Sequence, residues 1–364
     1  MPNGANSDSG TDGSVSNLQT DDSPFVVRRV IRKKRKSIHK DDLSKSKGSS
    51  EEFSSYHREK RVSNATSTHT ECPIDNFLNW VYCICVVNFD LELGQTIENV
   101  FPADQNLSEK DRSNICYLAF PDSNSGLNGD TKYTFRFRQS SSHFCEHNET
   151  EFSYSRHIPP VYEKDSSHFY GTVYFNQLRD PQKKRGYQQK SLVLISRLPY
   201  VTFFSHTLEL IAKEYFRTGE PALLQACRYI NTWYPPIPGT TLDLNLYDVI
   251  IRTRIPVYGE NSNFKMYLGE DQENGNLTDK FVIPNLTDIS LSGLNNIVQY
   301  LPILWELIIL NEPVVIMAND PSGSSDGVLA MVNLISPLKY QSEFRPYFTI
   351  HDSEYKEFTA IFYI

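Results

Sequence analysis

The sequence predicts an α/β layer structure, a sheet with helices packed on it, and three stretches carry that prediction. Ser191–Gly219 places a continuous apolar run, Leu192–Ile195, just before a helix with one apolar stripe. Trp80–Val87 is an aromatic and β-branched strand too apolar to face water on either side. Leu294–Ile335 reads as helix, strand, helix.

Taken in order, residues 1–78 form a tail rich in Ser, Asp, Asn, Gly and Lys. Such a composition cannot bury enough apolar surface to offset chain entropy, so the tail is expected to be disordered. One basic block interrupts it, Arg28-Arg29 and then Arg32-Lys33-Lys34-Arg35-Lys36. A nuclear-import signal or attraction to an anionic membrane surface would suit this block, and so would a plain solvated cluster. Order is expected from Asn79. Phe89–Gly94 turns the chain and Gln95–Phe101 returns it as a hairpin. Asn106–Arg112 reads as a short polar helix and Ile115–Phe120 as a strand ended by Pro121. Tyr133–Arg138 alternates aromatic with basic, which predicts a strand with Arg136 and Arg138 on a wet face. Phe169–Phe175 is another strand.

Leu192–Ile195 does not alternate, so it should be covered on both faces. In the helix after Pro199, Phe204, Leu208, Ile211, Ala212 and Tyr215 fall on one side. Gly219 ends that helix and Pro221 suits the first turn of the next, about Pro221–Thr232. Trp233–Gly239 breaks it, and residues 235–293 are expected to be a linker and irregular connection in which Leu242–Leu246 and Val249–Ile251 are strands. Ile297, Leu301, Leu304, Trp305 and Ile308 recur at helical spacing, with Pro302 at a kink or near the start. Val314–Ala318 is a buried type of strand, Asn319–Ser322 is turn chemistry, and Ser325 or Asp326 is expected to cap a further helix.

Composition excludes several classes. A net charge of −8 argues against general nucleic-acid binding. Six irregularly spaced cysteines, several inside apolar strands, predict buried thiols and a reducing compartment. Cys83 and Cys85, two apart, share one face of their strand. The polar N-terminus predicts no signal peptide, and no apolar run has membrane-spanning length. His143, Cys145 and His147 make the most metal-like cluster, but the longer-range second pair of a zinc module is missing, so no metal and no cofactor are expected. There is no Gly-x-Ser-x-Gly elbow, and Ser322–Gly327 lacks the Gly-Lys-Ser/Thr end of a phosphate loop. No catalytic residue stands out. Loops at the ends of α/β strands often carry function, which makes Asn319, Asp320, Ser322 and Asp326 the candidate partner-binding residues.

Two pieces resemble a known family. Ser191–Phe204, with Trp80–Val87 and Gly94 upstream, is similar to the longin-type upstream module of DENN-domain proteins. Leu304–Ser322 resembles the opening of their central module, and with Phe348–Ser353 the likeness is to the DENN domain-containing protein 6 family. The resemblance implies a longin-like module over 79–234, a partial central DENN module over 294–364, and guanine-nucleotide exchange on a Rab GTPase of endosomal recycling. It also implies a cytoplasmic protein that reaches recycling-endosome membranes peripherally, through the Rab. Family members continue well past this point, so the chain is expected to be a truncated fragment whose last residues, Ile361–Ile364, come from an alternative exon or a truncated gene model. A Rab- or regulator-binding module without exchange activity is the second reading.

Overall fold

The computed structural model describes residues 17–18, 26–29, 76–90, 92–121, 129–140, 157–181, 186–259, 281–282 and 291–359. Its strands are β1 (Asn17–Leu18), β2 (Val26–Arg29), β3 (Cys83–Asp90), β4 (Gly94–Phe101), β5 (Gly129–Arg138), β6 (His168–Arg179), β7 (Tyr187–Ser196), β8 (Thr241–Leu246), β9 (Val249–Arg254), β10 (Phe281–Val282) and β11 (Val314–Met317). Its α-helices are α1 (Glu109–Leu118), α2 (Val201–Thr218), α3 (Glu220–Asn231), α4 (Leu301–Ile309), α5 (Pro321–Val332) and α6 (Tyr355–Thr359).

The central sheet has five strands in the order β4-β3-β7-β6-β5, every pair antiparallel. Alternation along β3 and β7 sends side chains into two separate cores. Ile84, Val86, Leu192 and Leu194 meet α2 and α3 through Phe203, Leu208, Ile211 and Leu223. Cys83, Cys85, Val87, Val193 and Ile195 meet α1 on the other face, through Ile115 and Leu118. Both faces of Leu192–Ile195 are therefore covered, as its unbroken apolar run requires, and each such side chain contributes about 1.5–3 kcal/mol by burial. The two thiols do share a face, with their Sγ atoms 3.7 Å apart, and burial pushes the Cys83 thiol well up. The result is the expected α/β layering, one antiparallel sheet with helices on both faces.

Helix α2 ends at Gly219, whose φ of +80° favours glycine. A second glycine has a steric role. Gly171 in β6 sits opposite Phe135 of β5, and a Cβ built there would come within 2.2 Å of the Phe135 ring.

Four expectations need correction. Ile115–Phe120 is not a strand: Ser108 caps α1 by accepting from the Asp111 N–H, the helix runs through Leu118, and Ile115 and Leu118 are its buried stripe. Arg136 is not on a wet face but buried, as described below. Trp305 does not belong to the buried stripe of its helix: a 3-10 segment, Leu291–Tyr300, precedes α4, and Trp305 points outward, 51% exposed. Neither Ser325 nor Asp326 caps α5, because Asp320 does so five residues before the first of them, with Pro321 in the first turn.

Residues expected to connect the two modules include the β8–β9 hairpin, whose Leu244, Leu246 and Ile251 lie in the same core as α2 and α3. Trp233 joins them, its ring 5.6 Å from Trp80 and its Nε1–H donated to the Asn245 carbonyl. Within the stretch expected to be a tail, β2 pairs antiparallel with β11. Residues 32–36, the metal-like 143–147 cluster and 360–364 lie outside the described residues.

Candidate functional site

Strand β5 is an edge of the central sheet, and α5 lies along it. Ser325, fully buried, uses one hydroxyl for both groups of the same residue: its Oγ accepts the Thr134 N–H at 3.0 Å and donates to the Thr134 carbonyl at 2.9 Å. Between β5, the first turns of α2 and the outer turns of α5 lies a cleft of about 300 Å³. Lys132, Tyr162, Thr202, His206, Ser322, Asp326, Lys339 and Phe344 are among its walls. Lys132 Nζ also bonds Glu209 Oε2 at 2.7 Å, tying β5 to α2. Burial alone would raise the Glu209 carboxyl; hydrogen bonds from Lys132 and Lys213 outweigh it and hold the pKa at about 2.

The structure divides the four candidate residues. Ser322 and Asp326 line the cleft, whereas Asn319 and Asp320 are exposed at the end of β11. Asp320 Oδ1 is engaged locally, accepting the Gly323 N–H at 2.8 Å. Asp326 has no hydrogen bond or ion pair among the described residues, and burial, with the Asp320 charge adding to it, pushes its carboxyl up to about 6. A carboxylate that ordinarily titrates near 3.8 is thus poised close to neutrality at the mouth of the cleft.

A buried ionic cluster stands behind Phe344. Arg136 bonds Asp165 Oδ2 and Glu343 Oε1, each at 3.0 Å, and its guanidinium lies 4.2 Å from the Phe344 ring centre. His168 bridges the same groups: Nε2 faces Glu343 Oε2 at 3.0 Å, and Nδ1 lies 2.9 Å from Arg136 Nη2 and 2.8 Å from Ser167 Oγ. Burial would raise both carboxyls. Hydrogen bonds from His168 and the charge of Arg136 outweigh it for Asp165, which falls well below the carboxylate range. For Glu343, the His168 bond and the charges of Arg345, His168 and Arg136 bring it to about 2. Next to this cluster Arg345 donates Nη1 to the Arg136 carbonyl at 2.8 Å and pairs Nη2 with the buried Glu354. Residues 343–354 are thereby clamped onto β5.

This clamp escaped the sequence reading. Its partners are far apart, Arg136 and Glu343 being separated by 207 residues, and no local pattern connects them. The acidic groups that Arg136 meets, Asp165 and Glu343, belong to the same chain. Among the described residues no three His, Cys, Asp or Glu side chains are placed to hold a metal ion, and no helix is long and apolar enough to cross a membrane. What the region offers is a shaped and charged surface.

Comparisons with known proteins cover this architecture. The family model described as Transport protein Avl9 matches residues 81–240, and that described as DENN (AEX-3) domain matches residues 187–351. The chain is 47% identical over 287 residues to Protein DENND6A of Mus musculus, which is 79% of this chain and 47% of the mouse protein. To Protein DENND6B of Homo sapiens it is 43% identical over 289 residues, 79% of this chain and 49% of the human protein. To the Protein DENND6 homolog of Dictyostelium discoideum it is 31% identical over 313 residues, 77% of this chain and 41% of that protein. The chain spans about half the length, or less, of the curated relatives it matches.

Proposed function

We propose, because this chain belongs to the DENN domain-containing protein 6 family, that it acts as a guanine-nucleotide exchange factor for a Rab GTPase in endosomal membrane recycling. The observation that carries the reading is the identity to these relatives across both matched regions, from the central sheet into α5. Exchange makes and breaks no covalent bond. The factor binds the nucleotide-free GTPase more tightly than the loaded one, and by linkage the nucleotide is loosened by the same factor. Contact area on the GTPase switches does this work, and a rigid seam such as the one between β5 and α5 suits it. The exposed pair Asn319 and Asp320 is the proposed point of contact, with Ser322 and Asp326 behind it in the cleft. Membrane attachment is then peripheral, through the Rab, in the cytoplasm and at recycling endosomes.

The test is release of fluorescent GDP from a panel of Rab proteins, with the whole chain as catalyst. Acceleration on one Rab, reduced by Asn319→Ala, is the expected result. Binding without release would instead establish a Rab- or regulator-binding module, the second reading. Its support is that the chain spans only about half of its relatives, so on this reading the surface for displacing nucleotide is shared with sequence they hold in addition.

A further inference from the structure

We propose that the cleft between β5, α2 and α5 binds an organic cation with an apolar body, an ammonium or guanidinium group carried on aliphatic or aromatic carbon. Its volume of about 300 Å³ lies at the small end of the range for small-molecule sites. Three elements give it apolar wall: Leu329 and Val332 of α5, Val161 and Tyr162 of the 3-10 turn before β6, and Tyr340 and Phe344 of the segment after α5. Such walls suit a carbon body, and aromatic rings also attract a cation. The head group has its own place. Ser322 and Asp326 lie one turn apart on the same face of α5, and both line the cleft. Neither the Ser322 hydroxyl nor the Asp326 carboxylate has a partner among the described residues. A half-buried carboxylate without a partner carries a desolvation cost that an arriving cation offsets.

The surroundings do not supply that cation. Lys132 of β5 is paired with Glu209 of α2 at 2.7 Å. His206 of α2 and Lys339 after α5 also line the cleft, and among the described residues neither forms an ion pair with Asp326. Behind Phe344, Arg136 is matched by Asp165 and Glu343. Glu163 beside the 3-10 turn is acidic, and so is Asp320 before α5, whose charge adds to burial in raising the Asp326 carboxyl. The segment Leu291–Tyr300, packed on α5, carries no Asp, Glu, Lys, Arg or His, and α4 brings only the exposed Glu306. The end of the cleft at Asp326 therefore favours a positive ligand over an anion. A metal ion needs more ligands than this carboxylate offers, which leaves an organic cation.

The whole chain is titrated with phenethylamine and with N-acetyl-arginine methylamide, and binding is followed by ligand-observed NMR. Their uncharged counterparts are 2-phenylethanol and the citrulline analogue. Each cation is expected to saturate, and each counterpart to bind at least tenfold more weakly. Phenethylamine stands for a free amine and the arginine amide for a side chain presented by a partner protein, so the tighter of the two identifies the source. Asp326→Asn breaks no ion pair and should weaken both cations at least tenfold. Asp326 takes up its proton as pH falls through about 6, so affinity for the unaltered chain should drop about tenfold from pH 7.5 to pH 5. That dependence should vanish in Asp326→Asn and survive in His206→Gln. The proposal is overturned by no saturable binding up to about 10 mM, by counterparts that bind equally well, by unchanged affinity in Asp326→Asn, or by a pH dependence that disappears with His206→Gln instead. No GTPase enters this assay, so its failure and that of the exchange reading are distinguishable.

Discussion

Strands β5 and β11 each lie at the edge of a sheet, and they are finished in opposite ways. Along β5, Ser325 occupies both polar groups of Thr134, Arg345 takes the carbonyl of Arg136, and the Arg136 side chain is locked between Asp165, His168 and Glu343. Along β11 nothing comparable is present among the described residues, and Met317 is 48% exposed. An uncovered ladder is a template for pairing with other chains, so proteins usually hide it. Here one edge is hidden by polar side chains that arrive from far along the sequence. The difference shows that an edge is sealed by tertiary partners and not by the strand's own residues, since the more apolar of the two strands is the one left open.

Removing the seal should give the largest effect. Arg345→Met removes the guanidinium partner of the buried Glu354 carboxylate, leaving it Lys110, and frees the Arg136 carbonyl, and is expected to cost about 3–5 kcal/mol in urea denaturation. A cost under about 1 kcal/mol would mean that β5 needs no seal. Ser325→Ala removes two buried hydrogen bonds and should cost about 1–3 kcal/mol. Met317→Lys on the open strand should stay within about 0.5 kcal/mol by the same measurement. Equal costs at the two positions would erase the contrast.

A further effect is electrostatic and changes with pH. The folded state raises the Asp326 pKa from 3.8 to about 6, so it holds that proton more tightly than the unfolded chain does. The penalty for ionising it is complete above pH 6 and absent below 3.8. Solvent reaches part of this group, which reduces the effect, and Asp326→Asn should stabilise by about 1 kcal/mol at pH 7.5 and by nearly nothing at pH 4. Glu343 carries the opposite sign. Its folded pKa is depressed from 4.5 to about 2, so its contribution is present above pH 4.5 and disappears as pH falls through 2. Glu343→Gln should therefore flatten the acid limb of the stability curve and leave the Asp326 effect in place.

The layered fold was legible because its signals are local. An unbroken Leu192–Ile195 demands cover on two faces, and the stripe from Phe204 to Tyr215 announces the helix that covers one of them. Where two local signals compete, the helix cap decides over the apolar run. The short apolar run from Ile115 looked like a strand, yet Ser108 had already started a helix whose last turns it supplies. Arg136 was misplaced for a different reason. Alternation correctly turned it away from Phe135 and Phe137, but whether that side meets water depends on Asp165, Glu343 and Arg345, and strand periodicity holds no information about them. The role of Ser325 was hidden for the same reason: its place suits a helix cap, and nothing local shows that its hydroxyl reaches Thr134 across 191 residues.

Gly171 has a consequence for mutational tolerance. Most positions in β6 hold residues that a strand can exchange for other β-formers, but position 171 is a seat for the Phe135 ring of the neighbouring strand. In a saturation library it would stand out as a column that admits glycine alone, unless a smaller residue at 135 vacates the seat. The two positions would then vary together, although both are buried.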